Sequence, residues 1–178
     1  MKTLWTPWRM SHVCGGKPQP DRCLFEPEGE KTHGKKDLLL YRDSLRLCLL
    51  NRFPYANGHL LVAPARHVGC ITDLEPAELH SLMDLVQIST VIVKDVLKPD
   101  GLNIGLNVGR VAGAGIDDHI HFHLVPRWRD DHNFMTVIAD IRAIPEHIEQ
   151  TYDKLLPRFM EHLKPLRHNA ESWHLPPK

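Results

Sequence analysis

The chain has 178 residues, 42% of them hydrophobic, with 22 Lys plus Arg against 22 Asp plus Glu and a formal net charge of zero. That length buries a real core in one domain, and the balanced charge gives no whole-surface reason to expect nucleic acid or an anionic membrane as partner. There is no apolar run of the roughly 18 residues a spanning helix needs, and the opening MKTLWTPWRMSH lacks an apolar signal core, so the expected location is the cytoplasm.

Residues 1–36 are rich in Pro, Gly and charge and read as an irregular arm pinned by Trp5 and Trp8. Strands are expected at Leu38 to Tyr41 and Leu45 to Leu50, joined by a turn at Arg42-Asp43-Ser44. Cys48 falls inside the second strand, where a reduced, buried thiol is the plain expectation. Pro54 and the Asn57-Gly58 pair turn the chain before a further strand, HLLVAP, from His59 to Pro64. Pro76 suits the first turn of a helix, and Leu79, Leu82, Met83, Val86, Val93, Val96 and Leu97 then recur at helical spacing until Lys98-Pro99-Asp100-Gly101.

In LNIGLNV, residues 102–108, Leu102, Ile104, Leu106 and Val108 alternate with Asn103, Gly105 and Asn107, the pattern of a half-buried strand. A small-residue loop, GRVAGAG, precedes DDHIHFHLVPRW, and another strand is expected at Met135 to Ile141. Pro145 opens a second helix carrying Tyr152, Leu155, Phe159 and Leu163, with a kink expected at Pro157. The tail from Pro165 is polar and irregular. Hairpins, a helix, more strands and a final helix make an α+β fold with a mainly antiparallel sheet.

Within residues 117–128, His119, His121 and His123 occupy alternate positions, in a chain with 13 histidines. In a strand such residues share one face, leaving Ile120, Phe122 and Leu124 to anchor the other in the core. An exposed imidazole row of this kind suits three ligands of one metal or a nucleophile flanked by orienting groups. The glycine-rich loop just upstream favours the second, because such backbone brings several N–H groups close to an anion. Neutral imidazole is available near pH 7 and attacks phosphorus to give a labile phosphoramidate.

HIHFHLVPR resembles the signature of the histidine triad (HIT) family of nucleotide hydrolases and transferases. LLNRFPYANGHLLVAPARH, residues 49–67, resembles that family's nucleotide-binding strand-turn-strand, and GLNIGLNVGRVAGAGIDDHIHFHLVPRW with NFM resembles its prokaryotic branch, which includes diadenosine-polyphosphate phosphorylases. The likeness spans residues 38 to about 141. It implies a HIT-like fold of about five strands and two principal helices, with the arm 1–36, a catalytic domain 37–164 and a tail 165–178.

It further implies that His121 is the nucleophile at the α-phosphorus of a dinucleoside polyphosphate or nucleotide conjugate. His123 would bind phosphate, His119 would fix geometry or ligate a metal, and His59 would support the row from behind. Asn51 would bind ribose. Asn107 and the backbone at Gly115 and Ile116 would hold phosphates, and an apolar pocket would use residues such as Leu49 and Leu50. The chemistry needs no cofactor, and family members are commonly homodimers.

Many relatives join a C-x-x-C to two histidines around structural zinc; here CLFE keeps Cys23 and puts Glu26 at the second cysteine. Cys23, Glu26, His67 and His119 make a tetrahedral set open to zinc, whereas the lost thiolate equally suits a lost site. Two other readings stand beside the enzyme: a non-catalytic nucleotide-binding module of the same fold, and a metal enzyme using the three histidines as ligands.

Overall fold

The computed structural model describes residues 23–26, 34–129, 131 and 144–163. The expected strand at 135–141, most of the arm and the tail from Pro165 lie outside them.

β1 (Leu39–Arg42) and β2 (Arg46–Leu50) form a hairpin closed by Asp43, whose Oδ1 accepts from the amides of Leu45 at 2.8 Å and Arg46 at 2.9 Å. A short acidic side chain mimicking the backbone acceptor is what makes this turn tight. β3 (Leu60–Pro64) pairs with β2, then α1 (Pro76–Leu97) crosses the sheet. Its start carries Pro76 in the first turn and a reciprocal capping box between Glu75 and Glu78, and Lys98 in the left-handed region ends it. Arg66 grips the Glu78 carboxylate at 2.8 and 2.7 Å, which ties the His67 segment to the helix. β4 (Gly101–Leu106), β5 (Phe122–Arg127) and α2 (Ile148–His162) complete the described elements.

The sheet is antiparallel throughout, in the order β1-β2-β3-β5-β4. Strand alternation sorts its residues into two cores. Leu40, Cys48, Leu50, Leu60, Val62, Phe122 and Leu124 pack against Leu82, Leu85, Val93, Tyr152, Leu155 and Phe159 of the helices. On the opposite face Leu39, Leu47, Leu49, Leu61 and Ala63 pack beneath Phe25. The α+β architecture expected from the sequence is what forms, and Cys48 is a buried free thiol.

Four expectations need correction. β4 is an edge strand rather than half-buried, so Leu102 and Leu106 touch the core while Ile104 and Val108 are exposed. α2 begins at Ile148 rather than Pro145, with His147 as its cap residue, and Pro157 lies inside it. The histidine segment becomes strand only at Phe122, so His119 lies in a bend and His121 immediately before the strand. Leu50 belongs to the helix-facing core, because adjacent strand residues point to opposite faces; of the expected pocket pair only Leu49 shares a core with the face that carries the histidines.

Candidate active site

The imidazole row is not exposed. His59 and His119 are wholly buried, His121 is 5% exposed, and only His123 is half-buried. The cover is Phe25, from the Cys23–Glu26 segment, whose ring lies 4.8 Å from that of His119 and 5.0 Å from that of His121. Phe25 is the functional neighbour that strand periodicity misses. It sits almost a hundred residues upstream in an irregular segment, two residues after Cys23, where no periodicity marks it.

Hydrogen bonds fix the tautomer of each ring, because backbone donors and acceptors cannot exchange roles. His121 Nδ1 lies 2.8 Å from the carbonyl of His119, so it carries the proton and Nε2 keeps its lone pair. The amide of Tyr55 donates to His59 Nδ1 at 3.1 Å, and Asn51 Nδ2 approaches the same nitrogen at 3.2 Å. His59 Nε2 therefore bears the hydrogen and donates to His123 Nδ1 at 3.0 Å, leaving Nε2–H of His123 as the outward donor. Burial drives the pKa of His59 down to about 3 and that of His123 to about 4, and lowers that of His121, so the row is neutral near pH 7. The result is a lone pair on one imidazole beside an N–H donor on the next, ring centroids 4.9 Å apart.

His119 faces away from this chemistry. Its Nε2–H donates to the Pro64 carbonyl at 2.9 Å, which points the Nδ1 lone pair at Cys23 Sγ, 3.1 Å away. The ligand atoms of Cys23, His67 and His119 lie within 4.8 Å of one another. Glu26 is beside them, its carboxylate 3.3 Å from His67 Nδ1, but it is not one of the three that converge. This set fits a tetrahedral cation: one thiol, two imidazoles, a carboxylate at the rim, and a carbonyl holding one imidazole in the ligating tautomer. Burial raises the Cys23 thiol pKa, which a bound cation would offset.

The other expected residues surround the row. Asn51 caps its own loop, its Oδ1 accepting from the Phe53 amide at 3.0 Å. Asn107 Nδ2 donates to the Gly113 carbonyl at 3.3 Å and so ties the glycine-rich loop to β4. That loop turns at Gly109 and Gly113, with φ of 82° and 93°, conformations that favour glycine. Gly115 is exposed and Ile116 leans on the Phe25 core. Among the described residues nothing accepts a hydrogen bond from either amide.

A sheet presenting a lone-pair imidazole, a neighbouring N–H donor and a glycine-rich turn defines a class of protein that handles phosphate esters. Residues 33–130, more than half of the chain, match the family model for the HIT domain. The chain is 35% identical over 157 residues to an AP-4-A phosphorylase of Mycobacterium tuberculosis, covering 85% of this chain and 80% of that one. It is 34% identical over 93 residues to an asymmetrical bis(5'-nucleosyl)-tetraphosphatase of Schizosaccharomyces pombe, covering 52% of this chain and 50% of that one. Among solved structures, a zinc-bound histidine triad family protein from Mycobacterium smegmatis superposes with a TM-score of 0.57 at 28% identity, covering 70% of this chain and 85% of that one. The chain belongs to the HIT family.

Proposed function

We propose that this protein is a HIT-type enzyme that splits dinucleoside polyphosphates at the α-phosphorus, with inorganic phosphate as the acceptor. The observation that carries this is the tautomer pattern: His121 Nε2 is left as a lone pair by the His119 carbonyl, and His123 Nε2–H is left as a donor by His59. Nε2 of His121 attacks the α-phosphorus of diadenosine tetraphosphate, the N–P bond forms, and the P–O bond to the departing ATP breaks. Phosphate then attacks the nucleotidyl-histidine, the N–P bond breaks, and ADP leaves. His123 and the amides of Gly115 and Ile116 hydrogen-bond the phosphoryl oxygens, where a single lost donor typically costs a few kcal/mol of barrier.

Phosphate is preferred over water because the phosphorylase relative matches most of this chain, whereas the tetraphosphatase relative matches about half of it. The test is product analysis of diadenosine tetraphosphate with and without phosphate, with His121→Ala as control. ADP plus ATP formed only with phosphate supports the reading. AMP plus ATP formed regardless of phosphate replaces the acceptor with water. Wild-type inactivity together with retained nucleotide binding would favour the binding-module alternative.

In this reading 37–164 is the catalytic unit and the protein works in the cytoplasm; among the described residues no helix is long and apolar enough to cross a membrane. A homodimer is supported by the edge strand β4, with Ile104 and Val108 exposed. Structural zinc is held by Cys23, His67 and His119, with Glu26 as the fourth ligand once its carboxylate turns from His67; the converging donors support this. Zinc would contribute folding energy rather than chemistry. Its test is metal content of the purified chain, expected near one zinc per chain and lost in Cys23→Ser.

A further inference from the structure

Substrate and acceptor are both anions, yet the row that receives them is neutral near pH 7. Bringing inorganic phosphate up to a nucleotidyl-histidine sets like charges against one another, and neutral N–H donors offset only part of that repulsion. The reaction therefore calls for a cation beside the row. Between Asn107 and Pro126 the chain has a single Lys or Arg, and it is Arg110 in the glycine-rich loop.

Both ends of that loop are fixed close to His121. Leu106 pairs with Phe122 in the β4–β5 ladder, so the loop leaves the sheet at the level of His121, and Asp117 follows it four residues before His121. Within the loop, Gly109 and Gly113 bracket the single turn Arg110–Ala112, and the Gly113 amide donates to the Arg110 carbonyl at 2.9 Å. The Arg110 side chain then clasps the far end: its Nε donates to Asp117 Oδ2 at 2.7 Å, one residue after Ile116. Among the described residues the two terminal nitrogens of the guanidinium have no partner, and the side chain is 82% exposed. The space beside Gly115 is open as well, since a Cβ built there meets nothing within 4 Å. An exposed Arg–Asp pair adds little stability by itself. Here it holds a guanidinium, with donors to spare, beside the segment that presents the amides of Gly115 and Ile116.

We propose that Arg110 binds the acceptor phosphate and so makes phosphate, rather than water, the group that resolves the nucleotidyl-histidine. The proposal rests on the reaction assigned above. In-line displacement puts the leaving and the entering oxygen at one apical position, opposite Nε2 of His121. The same guanidinium therefore meets the β-phosphate of the departing ATP in the first step and inorganic phosphate in the second. In that second step a phosphate oxygen forms the new P–O bond as the N–P bond breaks and its electron pair returns to Nε2. Water at the same position carries no charge for Arg110 to offset.

The experiment turns over diadenosine tetraphosphate at one subsaturating phosphate concentration in wild type, Arg110→Gln, Arg110→Lys and Asp117→Ala. ADP and AMP report resolution by phosphate and by water. Their ratio is set after the nucleotidyl-histidine has formed, so it reads the acceptor step alone. Arg110→Gln should lower ADP:AMP by roughly 10- to 150-fold, the worth of a lost charge-assisted hydrogen bond. Arg110→Lys keeps the charge without the planar fork and should fall in between. Asp117→Ala breaks the clasp but keeps the cation and should fall least. An unchanged ratio in Arg110→Gln would overturn the proposal. So would a fall in Asp117→Ala as deep as that in Arg110→Gln, which would reduce Arg110 to a clasp of the loop. AMP from wild type regardless of phosphate would overturn the acceptor assigned above and this proposal with it, a failure seen without any variant.

Discussion

Replacing His59 with Phe tests the relay most directly. The substitution keeps a buried ring between β3 and the Tyr55 loop but removes both nitrogens. His123 Nδ1 then loses the donor 3.0 Å away, and the Tyr55 amide and Asn51 Nδ2 lose their acceptor at 3.1 and 3.2 Å. A hydrogen bond to a group that meets developing charge is worth about 1.5–3 kcal/mol, which corresponds to a 10- to 150-fold fall in kcat. Each donor stranded by the substitution costs stability of about 1–3 kcal/mol. Single-turnover formation of the nucleotidyl-histidine measures the first effect, and 15N NMR of the histidine rings reads the tautomer of His123. His59→Gln, whose amide can donate to His123, should recover much of the rate. If His59→Phe forms the intermediate within twofold of wild type, or if His123 carries its proton on Nδ1 in the wild-type chain, the relay as described is wrong.

The acid side of the pH profile follows from the same rings. The folded-state pKa values of His59 and His123 are depressed to about 3 and 4 from an ordinary 6.5, so the unfolded chain binds more protons between those limits. Stability is therefore fully present above pH 6.5 and falls as pH drops toward 4, and chemical denaturation across that range should show it, with a flatter profile in His59→Gln. Thr151→Val removes a buried hydroxyl from the Asn57–Glu146 latch at nearly constant volume and should cost about 1–3 kcal/mol. That corresponds to a melting shift of roughly 2–4 °C for each kcal/mol in a chain of this size, and a shift under 1 °C would show that the Thr151 hydroxyl contributes little to stability. Gly58→Ala places a Cβ 2.2 Å from Leu97 Cδ1 at a positive φ. It should lose about 1–3 kcal/mol by thermal melting.

Much of this protein is legible one element at a time. The helix Pro76–Leu97 matches its expected bounds, because apolar periodicity, Pro76 and the Lys98-Pro99 stop all act within a few residues of one another. The β1–β2 hairpin is as local, resting on Asp43. Alternation around Leu47 to Leu50 decides which residues share a face, but not which face receives the helices. Leu49 and Leu50 look alike in the sequence and end in different cores. The three histidines and the glycine-rich loop before them suggest a site by type and spacing, and Asn51 and His59 join it only through the family resemblance, yet spacing treats His119, His121 and His123 as equivalents.

Tertiary structure separates them. The Pro64 carbonyl turns His119 toward Cys23, the His119 carbonyl frees Nε2 of His121, and the Tyr55 amide sets the proton on His59 and through it on His123. These partners lie two to more than sixty residues away along the chain. Burial by Phe25, still more distant, removes from water a face that strand alternation leaves exposed. A hydrogen bond's direction and a ring's desolvation depend on which groups the fold brings within about 3–5 Å. The sequence by itself determines the elements, the fold class and the residue types of the site, while the proton positions that make three like imidazoles differ from one another are decided by packing alone.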